Sequence, residues 1–148
     1  MYPLKNVTTL ALFFPVDQLD PQFVCTAHAA GVRIVWAANY DVDQLGNATM
    51  RGEWVDAQVK LVQNTHADGI NLDFESPIVD GSPAAAQLTS LTKELTTKVH
   101  AANPHYQISF DVAWSPAGID GRFFDYVGLA GATDFLVVMS YGALCVGG

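Results

Sequence analysis

Asp68-Gly69-Ile70-Asn71-Leu72-Asp73-Phe74-Glu75 is the stretch from which the rest of the chain can be read. Its side chains alternate polar and apolar with a period of two. In a β-strand that period sends Asn71, Asp73 and Glu75 to one face and Ile70, Leu72 and Phe74 to the other. Carboxylates two residues apart on one face have Cβ atoms roughly 6 to 7 Å from each other, too close for both to ionise freely, so one of the two pKa values is expected to rise. An acid that keeps its proton beside a carboxylate that stays charged is equipped for general acid catalysis. The plainer alternative is a strand whose polar edge faces water.

Outward from this strand the chain alternates strands with helices. Val7 to Phe14 is a β-branched and aromatic run that reads as a strand buried on both faces. Asp20 as N-cap and Pro21 at the first helical position open a helix carrying Phe23, Ala27 and Ala30, which Gly31 closes. Val32 to Ala38 is the next strand, Asn39 to Gly52 a polar loop, and Glu53 to His66 a helix with Val55, Val59 and Val62 on one stripe. After the acidic strand, Ser82 as N-cap and Pro83 open a helix with Leu88, Leu91, Leu95 and Val99, which Asn103-Pro104 ends. Gln107 to Trp114 is the fourth strand, a short helix runs through Phe124 to Ala130, and Asp134 to Tyr141 is the fifth strand. A repeating βα order of this kind is the mark of a parallel sheet. A (β/α)8 barrel spends about 31 residues on each unit, so these 148 residues hold about five units of a TIM barrel, an incomplete α/β barrel. A doubly wound open sheet is the competing architecture, but no glycine-rich phosphate loop follows Phe14.

Composition narrows the partners. Half the residues are apolar, enough for a sizeable core in one domain, and the formal net charge is −8 with 7 Lys and Arg together. That charge argues against nucleic acid and anionic membranes and suits a neutral polymer or sugar. Cys25 and Cys145 match no metal or redox spacing, so neither a disulfide, a metal nor a cofactor is expected. No signal peptide or membrane span is legible from Met1 to Lys5, and a leader, if the parent protein has one, would lie outside these residues. Asn6-Val7-Thr8 and Asn47-Ala48-Thr49 are sequons of low weight, and His28 and His66, each near a helix end, read as surface or capping residues.

Asp68 to Glu75 resembles the D-G-x-D-x-D-x-E motif of glycoside hydrolase family 18, the chitinase family, and Met139-Ser140-Tyr141 resembles its later M-x-Y element. Asn71 in place of the first inner Asp, with Phe110-Asp111-Val112-Ala113-Trp114-Ser115-Pro116, is similar to the chitobiase-type members. The resemblance implies a glycosidase of the chitinase or chitobiase type, hydrolysing β-1,4-linked N-acetylglucosamine in the chitobiose core of asparagine-linked oligosaccharides or in chitin oligomers. It implies Glu75 as general acid, Asp73 as the group that orients the substrate's N-acetyl arm, and Tyr141 as a hydrogen-bond donor to that arm. Asn71, Met139, Asp111 and Trp114 are implied as substrate-binding residues.

The implied partner is an N-acetylglucosamine-containing oligosaccharide, and the implied location is lysosomal or extracellular. Family register puts the acidic motif on strand four and M-x-Y on strand six, so one strand is expected before Asn6 and two after Tyr141. Residues 1–148 thus read as a partial catalytic domain. Gly142 stands where the family carries an Asp, and the tail from 142 to 148 matches nothing in the family. A sugar-binding protein that does not cut, and an inactive truncated product, are the other two functions open at this point.

Overall fold

The computed structural model describes residues 4–141, and the atypical tail, with Gly142 and Cys145, lies outside the described residues. Five strands form one parallel sheet in chain order: β1 (Thr9–Leu12), β2 (Arg33–Ala38), β3 (Gly69–Leu72), β4 (Gln107–Ala113) and β5 (Phe135–Met139). Between them run α1 (Pro21–Ala29), α2 (Ala48–Thr65), α3 (Ala84–Ala102) and α4 (Tyr126–Ala132). All four strand pairs are parallel and consecutive, so the sheet curls into a half-barrel with the helices outside, as the βα order predicts.

The two faces of β3 separate as the alternation predicts. Ile70, Leu72 and Phe74 are fully buried and pack with Val55 and Val62 of α2 and with Leu88, Leu91, Leu95 and Val99 of α3. Burial of an aliphatic or aromatic side chain of this size is worth about 1.5 to 3 kcal/mol, so this layer holds the helices to the sheet. Trp36 extends it along β2, donating Nε1–H to Thr65 Oγ1 at 2.8 Å and meeting the edge of Phe14 at 5.8 Å. The opposite face, with Asn71, Ser109 and Asp111, turns to the concave side.

Gly69 is required where it stands. Its φ is +154°, and a Cβ there would lie 1.9 Å from the carbonyl oxygen of Gln107. The Asp68 backbone in front of it donates to Ile34 O at 2.6 Å and accepts from Gln107 N at 2.7 Å, so the strand is anchored to both neighbours at its entry. Asp68 adds a side-chain bond from Ile34 N at 2.8 Å and pairs with His28, while Asp134 takes Ile108 N at 2.6 Å and pairs with His100. The same fastening thus recurs at the entries of β3 and β5. His28 is therefore a surface residue hydrogen-bonded to Asp68, and His66 caps α2 in the left-handed region at φ 54°.

Several helix boundaries differ from the sequence reading. α2 begins at Ala48, inside the expected loop, because Asn47 accepts N–H bonds from Thr49 and Met50 and caps the helix. Asp20 does cap α1, accepting from Gln22 N at 2.9 Å. Ser82 does not cap α3: its hydroxyl has no hydrogen-bond partner, and Pro83, itself in helical conformation, leads into Ala84. Asp125 caps α4, which runs two residues further than expected. β1 is shorter than Val7 to Phe14 and is not buried on both faces, since Phe13 is 66% exposed at the rim of an edge strand.

Among the described residues, nothing pairs with the outer edge of β1 or of β5. Phe135 and Val138 of β5 are respectively 44% and 53% exposed, and neither edge strand carries a Lys or an interior Pro of the kind that discourages pairing with another chain. The 148-residue chain expressed alone is therefore expected to self-associate. Size-exclusion chromatography with circular dichroism checks this, and a monomer that melts cooperatively would contradict it.

Candidate active site

The C-terminal ends of the strands gather the acidic residues. β3 ends at Leu72, but Asp73 stays on the ladder by donating its backbone N–H to Ala38 O at 2.8 Å. Its half-buried side chain lines a cleft of about 240 Å³ with Leu12, Phe13, Phe14, Ala37, Ala38 and Asn39, at the mouths of β1, β2 and β3. The cleft is thus mixed, with Leu12, Phe13 and Phe14 on one wall and the amide of Asn39 and the carboxyl of Asp73 as its polar groups.

Behind Asp73 runs a buried polar chain. Ser109 Oγ donates to Asn71 Oδ1 at 2.6 Å, and Asn71 Nδ2 donates to Asp111 Oδ2 at 2.8 Å. Asn71 and Asp111 are 3% and 5% exposed. The two bonds fix the orientation of the Asn71 amide, since only its oxygen can accept and only its nitrogen can donate. Asn71 and Asp111, which the family resemblance implies as substrate contacts, are here buried and bonded to each other.

Glu75 departs from the expected strand face. With β3 ended at Leu72, the chain turns out of the sheet, and the Glu75 carboxylate forms an ion pair with Arg122, whose Nε also donates to the Glu75 carbonyl at 3.1 Å. Arg122 comes from the loop after β4, held against Ile78 by an isolated parallel bridge and by Ile78 N to Gly121 O at 2.9 Å. Under that loop Phe124 meets both Phe74 and Phe110 edge to face. Arg122 was not a sequence candidate, and its only sequence signal is that it is one of seven basic residues in a chain of net charge −8.

Electrostatics single out Asp73 and Asp111. Asp73 is pushed above the usual carboxylate range first by burial and then by the charge of Glu75, with Arg122 acting the other way. Asp111 is pushed up by burial, held back by the hydrogen bond from Asn71, and pushed further by Asp73 and Glu75. The expected rise within the Asp73 and Glu75 pair therefore falls on Asp73. Trp114 follows β4 at 62% exposure, Met139 is the half-buried last residue of β5, and Tyr141 stands beyond it at 87% exposure. These three reach the same barrel mouth without touching the carboxylates through any hydrogen bond among the described residues. No group of three or more metal-ligating side chains occurs there, and no helix is long and apolar enough to cross a membrane, both among the described residues.

Comparison with known proteins bears on this geometry. The family model described as "Glycosyl hydrolases family 18" matches residues 35–145. A Dictyostelium discoideum protein named "Probable di-N-acetylchitobiase 2" is 44% identical over 140 residues, covering 95% of this chain and 36% of that protein. Rattus norvegicus "Di-N-acetylchitobiase" is 40% identical over 140 residues, covering 95% of this chain and 37% of that protein. The chain thus spans a little over a third of the length of these relatives. Among solved structures, a glycoside hydrolase family 18 N-acetylglucosaminidase from Paenibacillus barengoltzii superposes with a TM-score of 0.79 at 17% identity, over 93% of this chain and 48% of that one, a likeness of fold.

The raised carboxyls fix the sign of one stability effect. Unfolded aspartates titrate near pH 3.9, so between there and the raised folded value the folded state holds more protons, and stability falls as pH rises through that window. Asp73→Asn removes the penalty of burying a charge beside Glu75. It is expected to raise the melting temperature of the full-length polypeptide at neutral pH, with the gain fading at acid pH, where wild-type Asp73 is already protonated. Thermal melts of both proteins across pH check this, and a gain independent of pH would contradict it.

Proposed function

Since this chain belongs to glycosyl hydrolase family 18, we propose that the complete polypeptide is a chitobiase-type glycosidase that cleaves β-1,4-linked N-acetylglucosamine, in chitobiose cores or chitin oligomers, with retention of configuration. The observation that carries the reading is the placement of Asp73 and Glu75 just past the end of one strand, two residues apart, with Asp73 lining a cleft at the strand mouths. Two carboxyls issuing from one strand end do not flank a sugar ring from opposite faces, which a nucleophile and an acid on the enzyme would have to do. The nucleophile then comes from the substrate, as it does in this class of hydrolases.

In the proposed reaction Glu75 gives its proton to the glycosidic oxygen. The bond from that oxygen to the anomeric carbon breaks as the substrate's acetamido oxygen attacks the same carbon, giving an oxazolinium ion. Water then adds at the anomeric carbon, returns a proton to Glu75 and restores the N-acetyl group. Asp73, on the cleft wall, accepts from the acetamido N–H and offsets the positive charge that develops on the ring. To reach the leaving oxygen, Glu75 turns from Arg122 toward the cleft, and Arg122 holds its backbone carbonyl meanwhile. Tyr141 bonds the acetamido group, Met139 lies under the sugar, and exposed Trp114 offers a stacking face at the rim. The partner of the proposed reaction is an N-acetylglucosamine-containing oligosaccharide. The reading sets this catabolic step in a lysosomal or extracellular compartment.

Glu75→Gln keeps shape and removes the transferable proton. General acid catalysis contributes typically about 10²- to 10⁴-fold, and kcat of the full-length polypeptide on a chitobiose-type substrate is expected to fall within that range. An unchanged rate would remove Glu75 from the reaction, and a wild type that binds the sugar without cutting it would mark a sugar-binding protein instead. The nucleophile is tested separately. A cellobiose-type substrate, lacking the acetamido oxygen, is expected to turn over negligibly, whereas comparable cleavage would point to an enzyme carboxylate.

A further inference from the structure

β3 and β4 are paired in the register Asn71 to Ser109 and Leu72 to Phe110, and carried one residue further that register sets Asp73 directly opposite Asp111. Neighbouring strands lie about 4.8 Å apart, and like charges directly opposite on one face destabilise a sheet. Asp111 is 5% exposed, and Asp73 is half-buried. The groups facing this pair offer little relief. Glu75 adds a third carboxylate, and Arg122, the cation nearest the site, is bonded to Glu75. β5 presents Val137 and Met139 opposite Asp111 and Ala113, and the loop after β2 presents the uncharged Asn39. Two ionised carboxylates in that position have no counter-charge of their own.

We propose that Asp73 and Asp111 hold one proton between them and titrate as a unit, with Asp111 the positioning residue that lets Asp73 face the cleft as an anion. The proton resides mainly on Asp111, the more deeply buried of the two, because desolvation penalises its charged form more. The chain from Ser109 through Asn71 limits that preference. Asn71 Nδ2 donates to Asp111 Oδ2 and so favours its ionised form, which keeps the proton exchangeable with Asp73 rather than locked on Asp111. Movement of the proton from one carboxyl to the other leaves the net charge of the pair unchanged.

This inference deepens the proposed function, in which Asp73 must accept an N–H, but its test needs no substrate. In the full-length polypeptide with ¹³C-labelled aspartate carboxyls, the Asp73 signal is expected to titrate in two steps, the upper one above the ordinary carboxylate range. Asp111→Asn preserves the acceptor for Asn71 and removes the second acid, so Asp73 is expected to titrate in a single step. An identical two-step Asp73 curve in Asp111→Asn would overturn the proposal. A second variant guards against loss of fold: Asn71→Ala removes the donor to Asp111, and the upper step is expected to move to higher pH. No movement there would also overturn it. A hydrolysis failure in the Glu75→Gln comparison leaves these curves intact, so the two readings fail separately.

Discussion

The backbone hydrogen bonds that fix β3 between its neighbours are the constraint on which the rest depends. At its entry Asp68 donates to Ile34 and accepts from Gln107, and past its end Asp73 donates to Ala38. With both sides of the strand committed, no slip in register is available, and a slip of one residue would exchange the apolar set Ile70, Leu72 and Phe74 for the polar set Asn71 and Asp73. Gly69 makes the close approach to Gln107 possible, since any Cβ there would collide with a carbonyl oxygen. The position of the carboxylates is therefore set by ladder geometry before any side-chain contact is counted.

What the sequence reveals is what this ladder repeats. The five strands, their parallel order and the helix stripes of Val55, Val62, Leu88, Leu91, Leu95 and Val99 are local signals of period two and period 3.6, and each appears where its spacing puts it. Boundaries are less legible, because capping depends on which side chain reaches a free N–H first. Asn47 does so inside the expected loop, and Ser82 does not at all. The side-chain partners in the site are least legible. The partner of Asp111, Asn71, is 40 positions away in sequence, and no local pattern links them. Glu75 was read as continuing the strand face, but its partner Arg122 is 47 positions away on a loop whose shape depends on Gly118 and Gly121 at positive φ.

The same openness that marks the edges also shapes the cleft. In a closed barrel the inward side chains of opposite strands fill one another's space in layers. Here the concave side meets no opposite wall among the described residues, and Ala11 and Phe135, both inward by register, are exposed. The outer layer is covered by α1 to α4 except at the β5 edge, where Val138, outward by register, is 53% exposed. Packing on the outer side is thus the fuller of the two, and Asp73 sits on the concave, half-built side.

This asymmetry bears on how charge is distributed. A carboxylate on the covered side would require a buried partner, whereas on the concave side Asp73 meets solvent, though each neighbouring acid adds to the cost of its charge. Asn71 occupies the point where the two regimes meet. An Asp in its place would be the fourth acid at the mouth, beside Asp73, Glu75 and Asp111, while Arg122 is already paired with Glu75 and acts on Asp73. The amide instead accepts from Ser109 and donates to Asp111, satisfying two buried groups without adding charge. Neutral Asn71 therefore allows the site to bury a carboxylate as deep as Asp111 and still keep Asp73 at the wall of the cleft.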